Sequence, residues 1–170
     1  MRNVQNVSKS ESKWLTTLFP DLIEVGDPDY KGYEHSSICV FEHWLTREEC
    51  YDEIDNVTAI KAFNNDAKLY HFCVELTNTF TCYSVKFQGH NKLKASFRKF
   101  TSLNGAKNHL KVSPYNYGSR SRFVLVIPEI KVIYIEDCDF THHIYYKKGT
   151  DITPLINLAT KCSLFHLEKL

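Results

Sequence analysis

RFVLVIPEIKVIYIEDCDFTHHIYYKK, residues 122–148, has the pattern of successive β-strands. It is rich in β-branched and aromatic residues and is interrupted at Pro128 and at the polar run EDCD. Because proline cannot donate a ladder hydrogen bond, we expect Pro128 at an edge position or a bulge. The polar run predicts a turn between two strands. On the strand that follows, the adjacent His142 and His143 should point to opposite faces.

The segments after this stretch predict a helix and a last strand. TDITPLINLATK, residues 150–161, places Pro154 in a first helical turn, where the missing N–H costs nothing. LFHL, residues 164–167, then has the composition of a short strand.

The segments before it predict further helices and a hairpin. Apolar residues recur at helical spacing from Trp14 to Phe19, and Pro20 ends the run. Thr46 and Glu49 have the spacing of a capping box, which predicts a helix in TREECYDEIDN. Residues 69–88 alternate with a period of two, which predicts two strands around Thr77 to Thr79.

Two segments are harder to assign. SSICVFEHWL, residues 36–45, suits a strand by its β-branched residues and either element by its length. Leu93, Phe97, Phe100 and Leu103 recur at helical offsets and predict a helix, which Gly105 weakens. The pattern as a whole predicts an α+β fold, a mainly antiparallel β-sheet covered by helices. We expect a single domain over residues 1–170 with residues 1–10 flexible.

Composition favours a globular cytoplasmic protein. The chain has 170 residues, 43% hydrophobic and 24% charged, and no apolar run of signal-peptide or membrane-spanning length. Its six cysteines form no C-x-x-C pair and several lie in apolar stretches. We therefore expect reduced, buried thiols.

Charge is segregated along the chain although the net charge is only +1. Residues 1–66 hold 13 acidic and 6 basic residues, whereas residues 76–128 hold 9 basic and no acidic ones. The acidic part suits a basic protein partner, and the alternative is a solvated helix face. The acidic residues proposed to contact a partner are Glu42, Glu49, Asp52, Glu53, Asp137 and Asp139.

The basic part, residues 86–122, suits nucleic acid, because lysine and arginine neutralise phosphates and tyrosines stack on bases. The residues proposed for this role are Lys107, Lys111, Tyr115, Tyr117, Arg120 and Arg122. The low net charge and the absence of a known binding motif argue against it.

Metal and enzymatic chemistry have weaker support. Ligand types gather in EDCDFTHH (Asp137, Cys138, Asp139, His142, His143) and in the evenly spaced His35, Cys39 and His43, but a polar turn and a single-file row explain them as well. Asp29 with Asp66–Lys68 or Glu129–Lys131 faintly matches a metal-dependent nuclease. No G-x-S-x-G, Walker-type or G-x-G-x-x-G motif occurs. We therefore assign no catalytic residue, metal or cofactor.

Residues 122–168 resemble small bacterial immunity proteins of contact-dependent inhibition and related polymorphic toxin systems. The likeness consists of an apolar strand ending in Pro-Glu, a strand ending in an acidic turn, an aromatic strand, and a helix followed by Leu-Phe-x-Leu. It implies a cytoplasmic antitoxin that binds one-to-one to the C-terminal toxin domain of its cognate effector, often a nuclease, and blocks its active site or substrate groove.

Three functions follow in order of preference. The first is this non-enzymatic toxin inhibitor, acting by charge mimicry, by shape or by strand addition. The second is a nucleic-acid-binding module that uses residues 86–122, and the third is a metal-dependent nuclease. Whether the basic stretch faces water or the acidic helix stays open at this point.

Overall fold

The computed structural model describes residues 2–20, 22, 32–88, 94–111, 123–137 and 139–168. In chain order the elements are β1 (Val4–Asn6), α1 (Lys9–Leu18), β2 (Glu34–Cys39), α2 (Arg47–Cys50), a π-helical turn (Tyr51–Asp55), α3 (Ala59–Thr79), β3 (Tyr83–Gln88), β4 (Lys94–Phe100), α4 (Leu103–Leu110), β5 (Val124–Ile127), a 3₁₀ turn (Pro128–Ile130), β6 (Val132–Glu136), β7 (Thr141–Tyr146), α5 (Thr153–Lys161) and β8 (Phe165–Glu168).

One eight-stranded sheet organises the described residues, in the order β1-β4-β3-β5-β6-β7-β2-β8. Every pairing between neighbours is antiparallel. The predicted α+β fold with a mainly antiparallel sheet and covering helices is therefore confirmed. None of the described helices is both long and apolar enough to span a membrane.

The strands predicted from residues 122–148 lie at the centre of the sheet. β5, β6 and β7 are consecutive neighbours, and alternation along them puts side chains on both faces. Pro128 is neither at an edge nor in a bulge, so that expectation is wrong. It is buried in the first position of the 3₁₀ turn that joins β5 to β6, where no ladder hydrogen bond is asked of it.

Each face of the sheet carries its own core. On one face, which we call the helical face, α3, α4 and α5 pack against residues such as Leu125, Tyr134 and Ile144. On the opposite face α1 contributes Leu15 and Phe19 against β3, β4, β5 and β6. The far part of this opposite face, on β7, β2 and β8, is covered by other means described below.

The predicted hairpin over residues 69–88 is wrong in its first half. Residues 69–79 complete the 21-residue helix α3, and only β3 is a strand. Leu69, Phe72, Cys73 and Leu76 are all buried and stand at i, i+3, i+4 and i+7, which is one stripe of a helix. A run of apolar and aromatic residues fits both the period of a helix and the period of a strand. Packing against the helical face of the sheet favours the helix here.

The helix predicted from Leu93 to Leu103 is also wrong. Residues 94–100 form β4, which pairs with both β1 and β3, and helix α4 begins only at Leu103. Residues 36–39 of the ambiguous segment belong to β2. Residues 4–6, expected to be flexible, form the edge strand β1.

Other local predictions are confirmed. The Thr46–Glu49 capping box forms, with both reciprocal hydrogen bonds present. Helix α1 occurs where expected but begins earlier, with Ser8 as its N-cap. The final helix and strand, α5 and β8, occupy their predicted places, and Pro154 lies in the first turn of α5.

Candidate functional site

A pocket of about 210 Å³ lies where the chain after β2 folds back over the ends of β7, β2 and β8. Trp44 fastens this connection, because its indole N–H donates to the carbonyl of Glu168 at 2.7 Å. The residues that line the pocket are Cys39, Phe41, His43, Trp44, Leu45, Cys50, Ile54, Asp137, Asp139, Thr141, His143 and Leu167. The connection thus covers the part of the opposite face that α1 does not reach.

The short helix in this connection has an inner and an outer side. Cys50 and Ile54 line the pocket, whereas Tyr51, Asp52 and Asp55 are exposed. Tyr51 is 62% exposed, which is unusual for a large aromatic side chain. Arg47, Glu48, Tyr51 and Asp52 together line a shallow depression on this outer side.

Local chemistry explains why the helix begins where it does. Glu49 accepts from the backbone N–H of Thr46 at 2.8 Å, and His43 lies 3.0 Å from the same carboxylate. The backbone hydrogen bond from Thr46, followed by the bond to His43, lowers the pKa of Glu49 below its ordinary value. Glu49 is therefore occupied as a capping group and is less available to a partner than the exposed Asp52.

Exposed apolar side chains continue onto the first turns of α3. Ile60 is 76% exposed and Phe63 is 62% exposed. An ion pair between Lys61 and Glu53, at 2.5 Å, ties this end of α3 to the π-helical turn. We call the outward-facing set Glu48, Tyr51, Asp52, Asp55, Ile60 and Phe63 the acidic–apolar surface.

The predicted partner-binding residues fall largely in one region. Asp137 and Asp139, distant in sequence, line the same pocket as the helix that carries Glu49, Asp52 and Glu53. Glu42 is exposed in the connection between β2 and that helix. Asp137 accepts a hydrogen bond from His143, at 3.1 Å.

Sequence reasoning missed Tyr51, Ile60 and Phe63. A signal for the last two was present: they fall off the helical stripe of Leu69, Phe72, Cys73 and Leu76 when that stripe is extended towards the start of α3. Apolar residues off the buried stripe of a helix must face solvent or a partner. Because residues 69–76 were predicted to be a strand, their helical stripe was not recognised, and neither were the apolar residues that fall off it.

A Ser-His-Asp arrangement occurs beside the pocket but is unsuited to nucleophilic catalysis. His143 donates through Nε2 to Asp137, which leaves Nδ1 to accept from the Ser37 hydroxyl, 3.0 Å away. His35 Nε2 lies 3.0 Å from the same Nδ1. Ser37 is 0% exposed, so no substrate can reach its hydroxyl. The arrangement therefore satisfies polar groups on β2 and β7 that the connection covers.

The four cysteine thiols whose pKa is shifted are likewise unsuited to act as nucleophiles. Burial raises the pKa of Cys39, Cys82 and Cys162, and that of Cys73 to about 12. These four are protonated at neutral pH, whereas the reactive form of cysteine is the thiolate.

The predicted metal ligands do not converge among the residues that the structure describes. These contain no group of three or more histidine, cysteine, aspartate or glutamate side chains placed to hold a metal ion. His142 and His143 point to opposite faces of β7, as predicted, with His142 in the core beside Tyr134. His43 lies beyond the end of β2, the strand that carries His35 and Cys39, and Cys138 lies outside the described residues.

The faint nuclease pattern is dispersed as well. Asp66 lies in the first half of α3, whereas Glu129 lies in the 3₁₀ turn and accepts from the Thr81 N–H beyond the other end of α3. About twenty ångströms of helix separate the two carboxylates along the axis of α3. Asp29 lies outside the described residues.

Of the predicted nucleic-acid-binding residues, the structure describes Lys107 on α4 and Lys111 just after it. Tyr115, Tyr117, Arg120 and Arg122 lie outside the described residues. Within the described ranges, the acidic residues of segment 42–55 pair with Lys61 and His43, and none pairs with β3 or β4. Segment 42–55 therefore does not neutralise β3 and β4, whereas Glu11 on α1 pairs with Lys99 on β4.

Comparison with known proteins adds no functional assignment: no protein-family model, curated protein or solved structure matches this chain.

Proposed function

We propose that this protein is an antitoxin of the immunity-protein type, which neutralises a cognate toxin domain by one-to-one binding through the acidic–apolar surface. The observation that carries the proposal is the exposure of Tyr51, Ile60 and Phe63 on two consecutive helical segments, the first of which also presents unpaired acidic side chains such as Asp52. The resemblance of residues 122–168 to immunity proteins supports the same function.

The composition of this surface suits a protein interface. Protein–protein interfaces combine a few large apolar or aromatic anchors with a polar rim, and tyrosine is enriched among residues that contribute most to affinity. Tyr51 provides such an anchor, and Ile60 and Phe63 extend the apolar area. Leaving these three side chains in water has no benefit for folding, so a covered state is favoured.

The rim selects the chemistry of the partner. Glu48, Asp52 and Asp55 place negative charge around Tyr51, which complements a basic surface. A toxin that acts on nucleic acid needs a basic groove to hold phosphates. A carboxylate rim with an aromatic anchor would occupy such a groove and exclude its substrate.

The test is co-expression of the chain with the proteins encoded beside its gene, followed by affinity purification through a high-salt wash. We expect a stoichiometric protein that is toxic when expressed alone. Tyr51→Ala should weaken that complex by about thirtyfold, the usual loss for an interface anchor. Trp14→Ala is the matched control, because Trp14 is also an exposed aromatic but lies on α1.

Equal affinities for the Tyr51 and Trp14 variants would place the interface elsewhere. Nucleic acid in the low-salt eluate without any protein partner would contradict the antitoxin function and favour a nucleic-acid-binding module.

A further inference from the structure

A second pocket lies at the edge of the sheet farthest from the acidic–apolar surface. There β1 runs beside β4, and α4 packs against both strands. The pocket has a volume of about 480 Å³ and is lined by Arg2, Asn3, Val4, Gln5, Asn6, Arg98 and His109. Six of these seven residues are polar or basic, and none is acidic.

The two arginines reach the pocket from neighbouring segments. Asn6 pairs with Arg98 across β1 and β4, so these side chains share the face on which α4 lies. Arg2 lies just before β1 and lines the same pocket. The Thr101 hydroxyl holds this end of the chain by donating to the Arg2 carbonyl at 2.8 Å.

Helix α4 closes the pocket on its inner side. Gly105 lets the helix approach β1 closely, because a Cβ atom there would lie 2.7 Å from the Asn3 carbonyl oxygen. His109, one turn later, is held by a 3.0 Å hydrogen bond between its Nε2 and the Ser84 hydroxyl. The edge of Phe100 packs against its ring. The pocket wall is thus fixed by packing before any ligand arrives.

The two guanidinium groups have no carboxylate partner in the described part of the chain. Among the described residues, no carboxylate forms an ion pair with Arg2 or Arg98, whereas Lys99 on the same strand pairs with Glu11 at 3.8 Å. Arg98 is only partly exposed, so part of its hydration is already lost. Two such cations at one polar pocket favour a bound anion.

We propose that this pocket binds a phosphate-bearing ligand. The forked guanidinium groups of Arg2 and Arg98 match phosphate oxygens, and the amide groups of the lining asparagines add neutral donors. The volume accommodates a phosphate together with the group that carries it. The source is either a free nucleotide or the backbone of a nucleic acid strand. The site is independent of the proposed antitoxin interface, which lies at the other edge of the sheet.

The experiment is a calorimetric titration of the full chain with three probes: inorganic phosphate, ADP and a short single-stranded oligodeoxynucleotide. Each titration is repeated with Arg98→Gln, Arg2→Gln and Lys94→Gln. Lys94 is the matched control, because it is an exposed basic residue on β4 that does not line the pocket. Circular dichroism verifies that each variant is folded.

We expect Arg98→Gln and Arg2→Gln to weaken binding by about tenfold or more, since hydrogen bonds between charged groups are lost. Lys94→Gln should have little effect. ADP binding as tight as oligonucleotide binding identifies a nucleotide site. A clear preference for the oligonucleotide identifies a strand backbone.

Failure of all three probes to bind would overturn the proposal. An equal loss in the Arg98 and Lys94 variants would overturn it too, because the attraction would then be diffuse charge. Neither result affects the antitoxin proposal, which the co-purification and the Tyr51 variant test separately.

Discussion

His142 is the most strongly perturbed histidine in the described part of the chain. Its ring is buried on the helical face, where Nδ1 accepts from the Tyr134 hydroxyl and Cys73 lies within 3.9 Å. Burial, followed by the charge of His143, lowers the pKa of His142 to about 3. The folded protein therefore keeps His142 neutral where an exposed histidine would be protonated.

Acidification should destabilise the fold through this residue. Between about pH 6.5 and about pH 3 the unfolded chain binds a proton at His142 and the folded chain does not, so stability falls as pH falls. The loss from one such group approaches about 1.4 kcal/mol per pH unit. We expect His142→Gln to remove nearly the whole one-proton contribution to the pH dependence of the free energy of unfolding. Urea unfolding between about pH 6.5 and pH 5 measures this change.

His71→Gln is the control for this measurement, because His71 is an exposed histidine on α3. It should retain the pH dependence of the natural chain. Burial also lowers the pKa of His166, so part of the dependence should persist in the His142 variant. Identical slopes for the natural chain and His142→Gln would show that His142 titrates normally.

The opposite environments of the two adjacent histidines were predictable from sequence, since strand alternation alone separates them. Their partners were not. Ser37 is 106 residues from His143 along the chain, and only the pairing of β2 with β7 brings them together. Alternation along a strand predicts which face of the sheet a side chain lies on. Predicting its contacts also requires the order of the strands.

Among the elements, α3 and β4 show why local patterns failed. Both segments contain closely spaced aromatic residues, which fit a helical and a strand period equally well. What distinguishes them is the neighbour: α3 packs on a sheet, whereas β4 is paired on both sides. Elements with a specific end signal, such as the Thr46–Glu49 capping box, were predicted correctly because the signal is local.

Gly105 tests how closely α4 packs on β1. In an isolated helix, Gly→Ala would be stabilising by about 1 kcal/mol. Here the added Cβ would meet the Asn3 carbonyl, a backbone atom that cannot rotate away. We expect Gly105→Ala to lower the free energy of unfolding by about 1–3 kcal/mol, as overpacking does.

Urea unfolding measures this effect, and Asn108→Ala is its control, because Asn108 is exposed on the same helix. That variant should be neutral or slightly stabilised. A gain in stability for Gly105→Ala would mean that the effect of helix propensity is larger than that of the close contact, and that the backbone at the start of β1 moves at little cost in free energy.

At the scale of the sheet, charged regions of opposite sign lie at its two edges among the described residues. The acidic–apolar surface lies by β2 and β8, and the arginine pocket lies by β1 and β4, at the other edge of the sheet. The net charge of +1 does not reveal these two charged regions. The sequence left open whether the acidic and basic segments form separate surfaces or pair with each other, and the position of each charged region required the strand order.

Association with the proposed toxin partner should therefore depend on salt. Electrostatic steering raises association rates, and at moderate salt screening weakens the attraction between charges that are more than about 10 Å apart. We expect the association rate constant to fall by about tenfold as salt is raised, measured by stopped-flow fluorescence. The double variant Glu48→Gln, Asp52→Asn should flatten this dependence.

Glu34→Gln is the control, since Glu34 is an exposed acid at the end of β2 away from the acidic helix. It should leave the salt dependence intact. A rate constant that does not respond to salt would indicate that shape rather than charge governs the encounter.

The position of β2 has a consequence for synthesis of the protein. β2 is translated well before both of its partners, β7 and β8, which lie within residues 141–168. Until those residues are translated, β2 has two open edges and the connection after it has no strands to rest on. A chain that has not reached these residues therefore cannot assemble the surface around Tyr51. On the proposed antitoxin function, protection of the cell would begin only after β7 and β8 have been translated.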